Sequence, residues 1–193
     1  MNGKTTLGLV FILAALGGYV YIFEIGNDFR QTDDGLTEIF GNNYGEYDVV
    51  ELEISNSHHT AHFVRTNTSF TRDWAMAQPT ALPAHALDQV QVNGTATRLG
   101  QLTASQVITN VTDWGQYGLA SPELTVTLTI SNGQKLVLFT GNPTPVDDNR
   151  YIRTSTDHHS VYLVFGFTVD ALRNLLNELP LAPTPLPTAE ENN

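Results

Sequence analysis

Along this chain the spacing of apolar residues changes twice. From Thr5 to Phe23 the sequence runs TTLGLVFILAALGGYVYIF, nineteen positions without a charged side chain. At about 1.5 Å per residue this makes a helix of roughly 28 Å, close to the ~30 Å hydrocarbon core of a bilayer. Tyr19 and Tyr21 stand near its far end, where amphipathic rings favour the headgroup level. Beyond it the period shortens to two. Val49–Ile54 (VVELEI) and Ala61–Arg65 alternate as paired strands do, and Ser69–Met76 supplies a third strand, ending near Trp74 and Pro79. LTVTLTI (124–130) and KLVLF (135–139) flank Ser131-Asn132-Gly133-Gln134, and the central Asn-Gly predicts a two-residue type I′ loop. That closure pairs Leu128 with Val137 and Val126 with Phe139 on an apolar face. It pairs Thr127 with Leu138 and Thr129 with Leu136 on the other. Tyr151–Thr154 and Val161–Phe165 read as a second hairpin across STDHHS.

Helical spacing occurs in two places. Pro83–Leu102 carries Ala86, Val90 and Leu99 at rough helical intervals, although Asn93-Gly94 interrupts it. From Thr168 to Leu179, the residues Val169, Leu172, Leu175, Leu176 and Leu179 form one stripe. Thr168 is placed to cap that helix, Asp170 sits near its positive end, and Pro180 stops it. The stripe is suited to cover the apolar sheet face, with Trp74, Val126, Leu128, Val137, Phe139, Leu172 and Leu176 in one core. The expected architecture is α+β: an N-terminal transmembrane helix, then a mostly antiparallel sheet with helices packed on one face. The expected divisions are an anchor over 1–23 and a juxtamembrane stalk over 24–48, rich in Gly, Asn and Asp. A globular domain over 49–179 and a disordered, Pro-rich acidic tail over 180–193 follow.

The alternative for the first segment is a cleaved signal peptide, with Leu7–Leu16 as its apolar core. The bulky GGYVYIFEIG that follows offers no A-x-A site, and the absence of cysteine excludes lipoprotein processing. Lys4 precedes the span, whereas Glu24, Asp28, Asp33 and Asp34 follow it with Arg30 among them. The positive-inside rule therefore expects a cytoplasmic N-terminus and an extracytoplasmic domain at the cell membrane. All twenty acidic residues lie after the span, against eight basic ones, a balance of −12. Such a surface repels phosphate backbones, so nucleic acid is not an expected partner, and it opposes lying flat on anionic lipid. Without cysteine there is no disulfide, thiolate metal site or thiol catalysis.

Several separated motifs then fall into one order: Trp74-x-x-x-x-Pro79, Tyr117-Gly118-Leu119-x-x-Pro122, Asn132-Gly133, Gly141, Tyr151 and Val161-Tyr162. This series resembles the bacterial family called domain of unknown function 4340, over about residues 50–176. The sequence departs from the family in having Asn, where Asp is commoner, before Gly133. The resemblance implies a short, single-unit, membrane-anchored member and carries no established activity. Some members are similar to accessory proteins of ABC-type exporters and gliding-type transport systems, which implies membrane-protein subunits as partners, beside the lipid bilayer itself. Gly118 and Pro122 suit a compact turn into the strand at Leu124, and Gly141 suits a tight strand exit.

The remaining chemistry is sparse. Histidines cluster at His58, His59 and His62 and at His158 and His159, with His85 apart. If both clusters converged, with Asp157, Asp147 or Asp148 supplying oxygens, they could hold a metal. On a strand, though, His59 points away from His58 and His62, and no H-E-x-x-H occurs. Asp147-Asp148-Asn149 lacks EF-hand spacing and its closing Glu. Glu51 and Glu53 share a strand face and are of the right type for acid–base work, but solvated carboxylates are the commoner use of such a pair. G-x-S-x-G, S-x-x-K and phosphate-loop motifs are absent. No catalytic residue, metal ligand or cofactor is assigned. The expectation is a non-enzymatic, membrane-anchored extracytoplasmic interaction or structural module, an accessory subunit of a membrane complex. The alternative is a ligand- or metal-binding domain, or a hydrolase, using the histidines.

Overall fold

The period-two segments become one antiparallel sheet. In the computed structural model, residues 35–41, 44–66 and 73–183 are described. The apolar Thr5–Phe23 stretch lies outside them, and among the described residues no helix is long and apolar enough to cross a membrane. The strands are β1 (Thr37–Glu38), β2 (Val49–Ser55), β3 (Thr60–Arg65), β4 (Trp74–Gln78), β5 (Thr103–Ala104), β6 (Gln106–Ile108), β7 (Leu124–Ile130), β8 (Lys135–Pro143), β9 (Asn149–Thr154) and β10 (Val161–Phe165). The helices are α1 (Gln89–Gly100) and α2 (Gly166–Asn177). Eight strands pair in the order β4-β3-β2-β7-β8-β9-β10-β6, and β1 pairs separately with β5. The class is α+β.

One face of the sheet is the core. Leu52 and Ile54, Phe63, Trp74, Val126 and Leu128, Leu138, Ile152 and Val164 are fully buried there. Helices α1 and α2 touch each other and lie against β2, β3, β4, β9 and β10. The expected stripe of α2 does the covering: Val169, Leu172, Leu175 and Leu176 are buried, while Leu179, beyond the helix end, is half exposed. On the second face the loop 109–122 covers β8–β10, where Val111, Leu119 and Val161 are buried with Trp114, Tyr117, Phe139 and Tyr151 packed around them. Among the described residues none gives strands β3, β2, β7 and the first half of β8 such a cover.

Four details differ from the sequence reading. The β7–β8 register is Leu128↔Leu136 and Val126↔Leu138, one residue from the pairing expected. The Gly133 N–H bonds to the Ile130 carbonyl and Gly133 alone in the turn has a positive φ, 86°. This is a three-residue loop with a left-handed glycine, because a type I′ turn needs positive φ at both central residues. A one-residue slip exchanges faces, so Val137 and Phe139 leave the core for the second face and Leu136 and Leu138 take their places. Second, Thr168 is buried inside the first turn of α2 and caps nothing. The helix already starts at Gly166, whose N–H bonds to the Asp148 carbonyl at 2.6 Å. Third, Pro83–Leu102 divides into a 3-10 turn, Ala84–Ala86, and α1, whose N–H groups at Val90 and Gln91 are capped by the Asp88 carboxylate. Fourth, the described part of the 24–48 segment belongs to the fold, since Thr37, Ile39 and Tyr44 are buried. Residues 184–193 lie outside the description, but Pro180 and Ala182 bond to Asp88 and Ala86 through the backbone.

Helix α2 is fastened to the approach of β7 by Arg173. Its guanidinium meets both oxygens of Glu123, at 2.5 and 2.6 Å, and also Asp170. The Arg173 hydrogen bond holds the Glu123 carboxyl below its ordinary value of 4.5, against a smaller opposing effect of burial. A carboxyl lowered on folding stabilises above its unfolded value and loses that contribution as pH falls through the folded one. Glu123→Gln should therefore lower the unfolding midpoint at neutral pH, and the gap from the native chain should close in acid below pH ~4.5. A gap that stayed constant into strong acid would remove the ion pair from the stability of the fold.

Candidate functional site

Asn93-Gly94, which argues against a helix in sequence, sits inside α1 because the asparagine side chain is engaged elsewhere. Its Oδ1 accepts from the Trp74 indole N–H at 3.2 Å and from the Arg65 guanidinium, and its amide donates to Glu46. Arg65 stacks over Trp74, 4.5 Å from the ring centroid, and over Tyr47 at 5.5 Å, and it donates to the Val49 and Glu46 carbonyls. These residues border a cleft of about 250 Å³. Gln89, on its wall, accepts the Trp74 backbone N–H at 2.7 Å and donates to the Trp74 carbonyl at 2.9 Å. The amide thus occupies the outer edge of β4 as a neighbouring strand would, and Leu82 does the same for Met76. The cleft's polar groups mainly hold one another.

The uncovered second face is a different kind of surface. Glu51, Glu53, His62, Thr127, Thr129 and Lys135 surround a shallow depression of about 310 Å³ floored by Val137. Glu51 and Glu53 do share this face, as alternation requires. Glu51 accepts the Thr129 hydroxyl at 2.9 Å, and Glu53 stands opposite His62 across the strands. Toward β9 the same face becomes aromatic and cationic. Arg153 lies opposite Phe139, with its guanidinium 4.0 Å from that ring's centroid and 5.5 Å from that of Trp114.

The histidine clusters do not meet. His58 and His59 occupy the exposed turn after β2, where Asn56 accepts both of their backbone N–H groups. His158 and His159 occupy the exposed turn after β9. Between β2 and β9 the sheet reverses three times, through β7 and β8, so the two turns leave the row Ser55–Thr125–Phe139–Arg153 in opposite directions, with two strands between them. His62 faces the depression and His85 is exposed in the 3-10 turn. Asp157 is engaged in its own turn: it accepts the His159 N–H at 2.9 Å and the Tyr162 hydroxyl at 2.8 Å. Burial would raise its carboxyl, yet bonds from His159, Ser160 and Tyr162 prevail and lower it. Burial, then the hydrogen bond to Asp157 and its charge, push the Tyr162 phenol far up. Asp147 and Asp148 are exposed, the latter tied to Gly166 through its carbonyl. Among the described residues no group of three or more His, Asp or Glu is placed to hold a metal ion.

The motif residues have packing duties. Gly118 holds φ 72°, and a Cβ there would lie 2.4 Å from Asn142 Oδ1. A Cβ on Gly141 would lie 2.2 Å from the Tyr117 carbonyl. The Tyr117-Gly118-Leu119 turn is therefore seated directly on the end of β8, with Tyr117 edge-on to Tyr151 at 4.9 Å. Trp74 is fully buried, as a core ring with its N–H satisfied. Sequence reading missed Arg65, Asn93, Gln89 and Arg153. The one available signal was Arg153 at an outward position of a strand in a strongly acidic chain.

A family model described as a domain of unknown function (DUF4340) matches residues 74–179, more than half of the chain. No curated protein and no solved structure matches.

Proposed function

We propose, from the premise that this chain belongs to the DUF4340 family, that it is a non-enzymatic interaction module and an accessory subunit of a membrane complex. In this reading Thr5–Phe23 tethers it to the cell membrane as a short, single-unit member, with the N-terminus cytoplasmic and the folded domain outside. The observation that carries the reading is the unequal cover of the sheet. Helices fill one face and the 109–122 loop closes part of the other, which among the described residues leaves β3, β2, β7 and the start of β8 as a broad polar surface. Threonines at alternate positions give a flat floor, and Glu51, Glu53, His62 and Lys135 give it a charge pattern that selects a partner by register. The motif residues of the family support this by shaping the scaffold beneath.

The test is purification of the full chain from its membranes in mild detergent. A membrane-protein subunit should accompany it in fixed ratio, and Glu53→Lys with Thr127→Arg should release that subunit, whereas His85→Ala should not. Retention of the subunit by the double variant would overturn the face as the contact. Recovery of the chain alone would overturn the accessory role. A second reading, an extracytoplasmic domain that binds a small ligand, draws on the depression lined by Glu51, Glu53 and His62.

A further inference from the structure

We infer that the Arg153 guanidinium receives a carboxylate: an aspartate or glutamate side chain of the partner protein that docks on the exposed sheet face. This rests on the interaction reading above and names the chemistry of its partner. The argument begins with what Arg153 lacks. Its Nε is buried without a hydrogen-bond partner, and among the described residues no ion pair or hydrogen bond reaches the guanidinium. The other arginines inside the fold are met by oxygens: Arg173 by Glu123 and Asp170, Arg150 by Asp170, and Arg65 by Asn93 and two carbonyls. Among the described residues Arg153 is the half-buried arginine with no oxygen partner at all, whereas Arg150, whose Nε also lacks one, has Asp170 at 3.9 Å. The aspartate next to Trp114 in sequence and the one in the turn after β9 make their bonds locally: Asp113 caps the Gly115 N–H and Asp157 is bonded within its own turn.

What Arg153 has is fixed orientation. Phe139 and Trp114 both lie within stacking range of the guanidinium. Ring faces stabilise the cation, but they give its N–H groups nothing to donate to. A stacked guanidinium keeps its plane while its edge stays ready for two parallel bonds to a carboxylate, and part of the ordering cost is already met. An ammonium in the same place would be a point charge without that fork. An acceptor other than water comes from outside the described fold. The second face is where it can arrive: Arg153 stands there beside Trp114 of the covering 109–122 loop, on the row Ser55–Thr125–Phe139–Arg153 that leads onto the uncovered strands. The Glu51 and Glu53 end of the same face repels an acid, so the two ends together orient the partner.

The experiment uses the full chain in detergent micelles, with Arg153 Nε–H and Trp114 indole N–H followed by NMR. The probe is N-acetyl-glutamyl amide, with N-acetyl-glutaminyl amide as the neutral control at matched ionic strength. A saturable shift with the acid alone is expected. It should disappear in Arg153→Met, and the acid should bind about tenfold more weakly to Arg153→Lys, which also serves if the methionine variant does not fold. Equal shifts from both probes, or a shift that survives loss of the arginine, would overturn the inference. A photo-reactive residue at Val137, in native membranes, separates it from the parent reading. An adduct to one subunit whose yield falls about tenfold in Arg153→Met supports both. An adduct of unchanged yield overturns the role of Arg153 alone, and no adduct at Val137 or Thr127 overturns the interaction reading and this inference with it.

Discussion

Trp74→Ala is expected to lower the unfolding free energy by about 3–5 kcal/mol, the range for removing a buried aromatic ring. Trp74 is fully buried, and it joins β4 to α1 and to the segment before β2. Its loss leaves a cavity in a close-packed core and takes the ring from beneath Arg65, whose guanidinium lies 4.5 Å from it. The Asn93 oxygen would lose one of its two donors. Trp74→Phe should cost less, because a ring remains to fill the space and stack on Arg65. Urea titration of the full chain in detergent, followed by far-UV circular dichroism, measures both. Midpoints equal to that of the native chain in both variants would mean that the Trp74 cluster does not hold β4 to the helices.

Gly141→Ala should be comparably severe, by about 3 kcal/mol or more, at the upper end of overpacking costs. The reason is direction. The added carbon would meet the Tyr117 carbonyl at 2.2 Å, and backbone cannot swing aside as the far end of a side chain can. Relief requires the 109–122 loop to lift from the sheet, which exposes the Val111–Leu119–Val161 cluster and separates Tyr117 from Tyr151. Limited proteolysis should then cut within this loop while α1 and α2 stay protected. Gly133→Ala is the comparison. Gly133, unlike Gly141, has a positive φ, at 86°, but open space surrounds its Cβ position, so strain alone costs about 1 kcal/mol. Equal stability losses for the two alanines would show that the seated loop does not govern Gly141.

The same residues mark how far the sequence can be read. Alternation located β2, β3, β7, β8, β9 and β10, because a half-buried strand writes its period into the chain. Register was less legible. Asn132-Gly133 serves a two-residue loop with both residues at positive φ, or a three-residue loop with only the glycine so placed, and one residue of difference exchanged Phe139 for Leu138 in the core. Helix α1 was legible only as doubtful, since the use of Asn93 depends on Trp74, Arg65 and Glu46, which come from other elements. Arg153 was hidden for a similar reason: its rings come from β8 and from the 109–122 loop. Gly141 was expected as a tight strand exit, but β8 runs on to Pro143, and the glycine serves the close approach of the Tyr117 carbonyl instead.

The middle position of β2 and β3 in the sheet bears on how the chain is made. They form a hairpin early, yet the other neighbour of β2 is β7, which does not begin until Leu124. By then β4 and α1 have joined them, but α2, which also covers β2 and β3, follows only after β10. A chain emerging N-terminus first must therefore carry an unpaired, apolar strand edge until most of the domain has followed. Assembly of this sheet is in effect a single late event, and truncation anywhere before β7 leaves an edge that invites aggregation.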